Sequence, residues 1–254
     1  MCDKKISDIQ KEYKELSEDY LPDFIEEYIN DGRPGVSKII GSAMKRMDKL
    51  RIERERIESL KEYERQYWSD YEYIGGIDEV GRGPLAGPVV TACIVLPKDC
   101  SILYINDSKK LSASKREELY EVIMREAVSV GIGAASEVRI DEINILQATY
   151  EAMRQAIKES SVEPQILLND AVTIPQVSIK QVPIIKGDAK SISIGAASII
   201  AKVTRDRLMV EYDQIYPEYH FASNKGYGSA EHIEALKKYG PCPIHRRSFI
   251  GNFV

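Results

Sequence analysis

The sequence YIGGIDEVGRGPLAGP spans Tyr73–Pro88 and decides how the chain is organised. Tyr73–Ile77 is a short apolar run that predicts a buried β-strand. Asp78 and Glu79 follow it directly, and Gly81–Pro88 then holds three glycines and two prolines, which indicates a loop. Since ligands bind beyond the ends of strands in open α/β sheets, this stretch predicts a functional site at the edge of a sheet.

The residues that follow the loop alternate between strands and helices. Three more strands are predicted, namely Val89–Leu96, Val128–Ala134 and Ile166–Leu168. Ser114 and Glu117 resemble a capping box at the start of a helix, and small residues predict a further helix from Ala196 to Leu208. A strand pair followed by alternating strands and helices predicts the α/β class, with a mixed sheet covered by helices.

Residues 1–70 have a different pattern and predict a small helical appendage. Apolar residues recur at helical spacing from Ile6 to Leu16, and Pro22 is expected to break that helix. A long amphipathic helix is predicted from Ile40 to about Trp68. We therefore expect a helical N-terminal extension over 1–70 and a main domain over 71–254. Contact with a phosphate backbone, packing on the main domain and binding of a partner helix all remain open for the extension.

Composition excludes several classes of protein. The chain has 254 residues, of which 43% are hydrophobic and 30% charged, as in a globular protein with a full core. No run approaches the ~20 apolar residues of a membrane helix, and Met1–Lys5 leads into charged sequence rather than a signal-peptide core. The four cysteines form no C-x-x-C pair. We expect a cytoplasmic protein with reduced thiols and no membrane segment.

Charge is distributed unevenly along the chain. The net charge of −5 argues against a nucleic-acid ligand, yet 38–65, 180–210 and 224–254 each carry a net charge of +3 or +4. Each basic segment could be a solvated helix face or part of a surface that binds phosphates.

Four acidic residues follow apolar runs, where unpaired charges are normally avoided. They are Asp78, Glu79, Asp170 and Asp188. If the strand ends converge, these carboxylates repel one another unless a hard cation such as Mg²⁺ or Mn²⁺ binds them. Two such ions would activate water for phosphodiester hydrolysis. Adjacent residues of a strand face opposite ways, so Asp78 and Glu79 share a site only if the strand bends or ends there, or if one of them binds the ion through its backbone or through water. Each acid alone could be a helix cap or an ion-pair partner.

The segment Gly76–Pro88 resembles the signature of type 2 ribonuclease H, the ribonuclease HII family. More segments match in the family's order, across roughly Tyr71 to Phe253: Asp107–Ser112, Lys186–Ser191, Ala196–Arg207, Lys225–Gly228 and Gly240–Phe249. The resemblance implies an RNase H-like fold, a mixed five-stranded sheet flanked by helices. It implies an endonuclease that cleaves RNA in RNA–DNA hybrids. It also implies incision 5′ of single ribonucleotides in duplex DNA, which leaves 3′-hydroxyl and 5′-phosphate ends and serves ribonucleotide and RNA primer removal.

The resemblance also implies roles for individual residues. Four carboxylates are implied to be catalytic and to bind Mg²⁺ or Mn²⁺: Asp78, Glu79, Asp170 and Asp188. Three residues of the turn are implied to sense the ribose 2′-hydroxyl: Gly81, Arg82 and Gly83. Tyr227 matches a tyrosine that packs against the deoxyribose at the RNA–DNA junction. Four basic residues are candidates for phosphate contacts or plain surface charges: Lys109, Lys190, Arg246 and Arg247. The implied partners are hybrid and ribonucleotide-containing duplexes, and we expect a monomer.

Two alternatives remain. Ribonuclease HIII shares the chemistry but acts poorly on single ribonucleotides. It typically has lysine in the middle of the turn and glutamate as the last carboxylate, so Arg82 and Asp188 favour type 2. The other alternative is a nucleic-acid-binding protein on a catalytically inactive fold, and the intact carboxylates argue against it.

Overall fold

The computed structural model describes residues 4–254, which fold into two compact units divided between Glu58 and Ser59. The helices are α1 Ile6–Glu15, α2 Leu21–Tyr28, α3 Pro34–Leu60, α4 Glu62–Arg65, α5 Ala113–Glu126, α6 Glu137–Lys158, α7 Ile192–Ile215, α8 Phe221–Asn224, α9 Ala230–Tyr239 and α10 Arg247–Ile250. The strands are β1 Ile74–Val80, β2 Val89–Val95, β3 Ser129–Ala135, β4 Ile166–Asp170 and β5 Lys180–Ile184. No helix within residues 4–254 is long and apolar enough to span a membrane.

The N-terminal unit is helical, as its periodicity predicts. The expectation that Pro22 breaks the first helix is wrong, because α1 already ends at Glu15 and Pro22 lies in the first turn of α2. Proline is tolerated there because the first N–H groups of a helix have no partner within it. The long helix α3 ends at Leu60 and is followed by the short α4, so it does not run unbroken to Trp68.

The second unit is built on a five-stranded mixed sheet with the strand order β3-β2-β1-β4-β5. β1 is antiparallel to β2 and parallel to β4, β2 is antiparallel to β3, and β4 is parallel to β5. The predicted α/β class with a five-stranded mixed sheet is therefore confirmed. Because β1 lies at the centre of the sheet, the acidic residues that it carries have neighbouring strands on both sides.

The two longest helices of this unit cover opposite faces of the sheet. Ile77 on β1 packs in one cluster with Met153 and Ala156 of α6. A Cβ atom on the neighbouring Gly76 would lie 2.2 Å from the backbone of Ser193 in α7, so only glycine permits this close approach. Since adjacent strand residues face opposite ways, α6 covers the Ile77 face and α7 covers the Gly76 face.

The start of α5 differs from the expected capping box. Ser112, rather than Ser114, is the N-cap, and its Oγ accepts a hydrogen bond of 3.2 Å from the backbone N–H of Lys115. The helix therefore begins one residue before Ser114, which lies in its first turn.

Candidate active site

The sheet places Asp78 and Asp170 on neighbouring parallel strands. The pairing of β1 with β4 runs to Ile77 opposite Asn169, and each aspartate comes one residue later. Because both aspartates are one step beyond a paired position, their side chains lie on the same face of the sheet. Asp170 Oδ1 accepts a hydrogen bond of 2.7 Å from the backbone N–H of Gly187, which directly precedes Asp188. The sheet and this bond bring three of the expected carboxylates to one region.

Glu79 is the fourth carboxylate and lies within β1, which continues to Val80 and does not end at Ile77 as expected. Its backbone N–H donates to Asp78 Oδ1 at 2.8 Å. Its Oε1 accepts from Arg82 Nη1 at 3.3 Å, whereas its buried Oε2 has no hydrogen-bond partner. A buried carboxylate oxygen without a donor is available to a cation.

Burial and like charge act together on these side chains. Burial raises the pKa of Asp78 well above its usual range, and the charges of Glu79 and Asp170 raise it further. Burial also raises the pKa of Glu79, although Arg82 opposes this shift. Burial raises the pKa of Asp188 as well, and the carboxylates of Asp107 and Asp170 add to the shift. The group therefore carries unfavourable negative charge that a cation would relieve.

The chemistry of the donors fits a hard divalent cation. Carboxylate oxygens suit Mg²⁺ or Mn²⁺, and the unpartnered Oε2 of Glu79 supplies one free ligand atom. No three Asp, Glu, His or Cys side chains within residues 4–254 are close enough to form a preassembled metal cage. The residue types and their common region therefore fit the ion, while the final coordination geometry is not preformed.

Lys109 lies in the field of this carboxylate group. Burial lowers the pKa of Lys109, but the charges of Asp107, Asp78, Asp188 and Asp170 outweigh it and raise the pKa overall. Asp107 caps the short 3₁₀ helix Ser108–Lys110, and its Oδ1 accepts a hydrogen bond from the Lys109 backbone N–H at 3.0 Å. Asp107 belongs to one of the segments that match the family, but the sequence alone indicated no role for it.

The glycine turn begins immediately after β1. Gly81 has a φ of +92°, and a Cβ atom there would lie 2.3 Å from Nε of Arg205. Only glycine therefore fits this position. Arg82 and Gly83 are exposed, so their groups remain open to a ligand. The strand thus leads from the carboxylates straight into an exposed turn.

Two buried arginines hold the glycine loop in place through hydrogen bonds to its backbone carbonyls. Arg246 donates from Nη2 to the carbonyl of Gly81 at 2.6 Å, from Nη1 to Arg82 at 3.0 Å and from Nε to Gly87 at 2.9 Å. It has no exposed surface. A phosphate contact by Arg246 is therefore contradicted, because its guanidinium is enclosed and bonded to the turn. Its role in the structure is to position the turn.

Arg205 is the second of these arginines, and sequence reasoning missed its role. It donates from Nε to the carbonyl of Pro88 at 2.9 Å, from Nη2 to Ala86 at 3.0 Å and from Nη1 to Lys225 at 2.8 Å. The signal was present in the sequence, since Arg205 falls four residues after Ala201 on a buried helix face. A lone arginine on such a face must find buried acceptors.

Tyr227 lies beside the turn. Its side chain is 44% exposed, and its Cε1 atom is 3.9 Å from the place where a Cβ atom on Gly83 would lie. The backbone N–H of Leu85 donates to the carbonyl of Gly226 at 2.8 Å, which joins the two segments. Of the remaining basic candidates, Lys190 follows the Asp188 segment directly, and Lys190 and Arg247 are both exposed.

Glu64 supports the segment that carries Asp188 and was also missed. This buried residue of α4 accepts hydrogen bonds at Oε1 from Ser191 Oγ at 2.6 Å and from the Ser193 N–H at 3.0 Å. Burial raises the pKa of Glu64. The start of α7, four residues after Asp188, is thereby fixed by a carboxyl group from α4. A single glutamate in a charged helix gave no sign of this in the sequence.

Comparison with known proteins agrees with the fold and identifies the family. The ribonuclease HII family model matches residues 75–252, and the model of the ribonuclease HII N-terminal domain matches residues 5–68. Ribonuclease HII of Lachnoclostridium phytofermentans is 64% identical over 250 residues, which is 98% of both chains. The Clostridioides difficile ribonuclease HII is 51% identical over the full length of both chains.

Solved structures share the architecture. Ribonuclease H2 from Pyrococcus horikoshii has a TM-score of 0.59 and 30% identity, with 69% of this chain and 93% of that chain covered. The Archaeoglobus fulgidus RNase HII from a complex with PCNA has the same TM-score at 28% identity, with 71% and 96% covered. The family match is to ribonuclease HII rather than ribonuclease HIII, and it disfavours the inactive-fold alternative. The chain therefore belongs to the ribonuclease HII family and is a ribonuclease H.

Proposed function

We propose that this enzyme hydrolyses the RNA strand of RNA–DNA hybrids and also incises duplex DNA on the 5′ side of a single ribonucleotide. The products carry 3′-hydroxyl and 5′-phosphate ends, as needed for removal of ribonucleotides and RNA primers. The observation that carries the proposal is the continuity of β1, which bears Asp78 and Glu79, with a turn whose exposed residues, Arg82 and Gly83, lie beside Tyr227. This arrangement puts candidate catalytic groups next to a candidate sugar-binding surface.

Four side chains would hold the metal ions in this proposal: Asp78, Glu79, Asp170 and Asp188. Bound Mg²⁺ or Mn²⁺ would supply a more acidic water and would neutralise charge that develops on the phosphate. The Gly187 N–H fixes one oxygen of Asp170 and leaves the other for this role. The Arg82 side chain donates a hydrogen bond to Oε1 of Glu79 and thereby orients the carboxylate. The other oxygen, Oε2, has no donor and would be available to a metal ion.

The turn and Tyr227 would distinguish ribose from deoxyribose. Without a Cβ atom at Gly83, the backbone can approach a sugar closely, and an exposed N–H or carbonyl can bond the 2′-hydroxyl. The Tyr227 ring offers a flat surface to the next sugar, on the deoxyribose side of the junction. Lys109, Lys190 and Arg247 are the basic candidates for phosphates, contacts that position a duplex without reading its sequence. Monomeric state and cytosolic location remain predictions from the sequence.

Cleavage of end-labelled duplexes with Mg²⁺ or Mn²⁺ tests this function. One duplex holds a single ribonucleotide, a second holds a continuous RNA strand, and an all-DNA duplex is the control. We expect incision 5′ of the ribonucleotide, with a 3′-hydroxyl end that a polymerase extends. Cleavage of the hybrid alone would contradict the single-ribonucleotide activity, and cleavage of neither substrate would contradict the whole proposal.

A further inference from the structure

Two buried histidines connect the Tyr227 backbone to the segment that pairs with the glycine loop. His232 of α9 has no exposed surface, and His245 is 2% exposed. Their Nε2 atoms are 2.9 Å apart, and His232 Nδ1 lies 2.8 Å from the carbonyl oxygen of Tyr227. At the other end, the backbone N–H of Cys242 donates to His245 Nδ1 at 3.0 Å.

The hydrogen-bond partners fix which nitrogens carry protons. His245 Nδ1 accepts from a backbone N–H, so a neutral His245 carries its proton on Nε2 and donates it to His232 Nε2. His232 then carries its proton on Nδ1 and donates it to the carbonyl of Tyr227. All four ring nitrogens are satisfied in this one arrangement, with both rings neutral. The rings pack against Tyr219 and Phe221, which exclude water.

The segment Ile244–Arg246 pairs with the glycine loop and bonds the turn, and we call this segment the frame of the turn. Ala86 and His245 form an antiparallel bridge, and the Gly87 N–H donates to the carbonyl of Ile244 at 2.8 Å. The following residue, Arg246, bonds the carbonyls of the turn. Tyr227 is held on the other side, because its N–H donates to the carbonyl of Asn224 at 2.9 Å and its carbonyl also accepts from the Ser229 N–H at 2.8 Å. The histidine pair therefore joins the backbone of Tyr227 to the frame that shapes Gly81–Gly83.

We infer that His232 and His245 are positioning residues that set the Tyr227 ring relative to the glycine turn and thereby determine selectivity for a ribose–deoxyribose junction. The inference rests on the proposed function, in which Tyr227 meets the deoxyribose. Neither histidine touches substrate. The histidine pair sets the position of the exposed Tyr227 ring. Loss of the pair should therefore reduce incision at a junction more than cleavage within a continuous RNA strand.

Two amide substitutions of His232 separate the two bonds of the ring. In His232→Asn the side-chain nitrogen takes the place of Nδ1, which keeps the donor to the Tyr227 carbonyl but removes the acceptor for His245 Nε2. In His232→Gln the side-chain oxygen takes the place of Nε2, which keeps the acceptor for His245 and removes the donor to Tyr227. The measurement is the ratio of the kcat/KM for a single-ribonucleotide duplex to the kcat/KM for a hybrid. We expect each substitution to lower this ratio about fivefold, because each breaks one of the two bonds that join Tyr227 to the glycine loop. Replacement of the exposed His220 by asparagine should stay within about twofold of wild type.

An equal ratio in wild type and His232→Gln, or an equal loss of both activities, would overturn the inference, since a merely structural role lowers both activities together. Tyr227→Ala separates this failure from failure of the proposed function. If Tyr227→Ala lowers the ratio and His232→Gln does not, only the histidine role fails. If Tyr227→Ala leaves the ratio unchanged, the junction role of Tyr227 fails, and with it the inference.

A measurement on the wild-type protein holds even if a variant does not fold. Nitrogen NMR of the imidazole rings reports which nitrogen is protonated. We expect His232 with its proton on Nδ1 and His245 with its proton on Nε2 at neutral pH. The opposite form of His232, or a doubly protonated ring, would overturn the inference because the donor to Tyr227 or the bond between the rings would then be missing.

Discussion

At the scale of the residue, burial decides which basic side chains can meet a phosphate. The Arg82 side chain is 45% exposed beside Glu79, whereas Arg246 has no exposed surface and directs its donors to backbone carbonyls. The same residue type thus serves two purposes within one site. A guanidinium has five donors in a fixed fork, which suits it to hold several carbonyls of a tight loop at once.

Replacing Asp78 by asparagine tests the carboxylate group. We expect cleavage to fall at least about a hundredfold, because a charged ligand for the cation is removed. Hybrid affinity should change by less than about twofold, since phosphate contacts remain. The metal-free variant should melt at a higher temperature than wild type, because a buried charge with a raised pKa is removed. Cleavage rates, fluorescence anisotropy and calorimetry measure these effects.

The exposed Asp99 provides the matched control for this substitution, and Asp99→Asn should leave all three quantities unchanged. Wild-type turnover by Asp78→Asn would remove Asp78 from the site.

The His245 ring predicts how stability changes with pH. Burial lowers its pKa to about 4, and the charges of His232 and Arg247 act in the same direction. An unfolded histidine titrates near pH 6.5, so the unfolded chain takes up this proton first as pH falls. The contribution to stability is complete above about pH 6.5 and is lost between there and about pH 4, by roughly 3 kcal/mol in total.

Urea unfolding between pH 7.5 and 4.5 measures this loss. His245→Asn should show a shallower acid slope than wild type, and replacement of the exposed His220 by asparagine should show the wild-type slope. Identical slopes for all three proteins would show that His245 does not titrate as predicted.

At the scale of the element, apolar runs predicted four strands, and the fifth was missed for a physical reason. β5 lies at the edge of the sheet, contains Pro183 and has Ile184 as its one buried residue. An edge strand needs few apolar residues and tolerates proline, so it resembles a loop in sequence. The sequence still predicted that Asp78 and Asp170 lie close together. Each aspartate follows an apolar run, and that pattern can be recognised within a few residues.

The junction of α4 and α7 supports a prediction about stability. Glu64→Ala leaves Ser191 Oγ and the Ser193 N–H without their buried acceptor, so the free energy of unfolding should fall by about 2–3 kcal/mol. Glu64→Gln keeps an acceptor oxygen and avoids burial of a charge, so it should stay within about 1 kcal/mol of wild type. Urea titrations at pH 7.5 compare the two variants. Equal stability of Glu64→Ala and wild type would show that the contact is dispensable.

At the scale of the whole molecule, the position of Glu64 changes how the N-terminal unit should be tested. The expected boundary at residue 70 stays a prediction, but truncation there also removes Glu64, which contacts α7. Truncation after Glu58 follows the division between the compact units and spares that contact. Sequence periodicity predicted that this unit is helical, although it misplaced where its helices end. It could not show that a residue of α4 contacts α7, because that contact spans 127 positions.

Removal of residues 1–58 tests whether basic residues of α3 contact substrate. We expect a higher KM and a weaker dependence of affinity on salt, with the slope of log K against log salt smaller by about 0.9 for each phosphate that the protein no longer neutralises. Hybrid binding between 50 and 200 mM salt, roughly, measures the slope. The truncation after residue 70 is the comparison, and its further effect should appear in stability. An unchanged slope would mean that the N-terminal unit does not bind phosphates.

The anchoring of the glycine loop by Arg205 and Arg246 has a consequence for biosynthesis. Gly81 is made 165 residues before Arg246, which donates a hydrogen bond to its carbonyl. The loop therefore cannot take its final shape until the ribosome has delivered Arg246. A nascent chain that ends between the two holds Asp78 and Glu79 without the side chain that fixes the bend beside them.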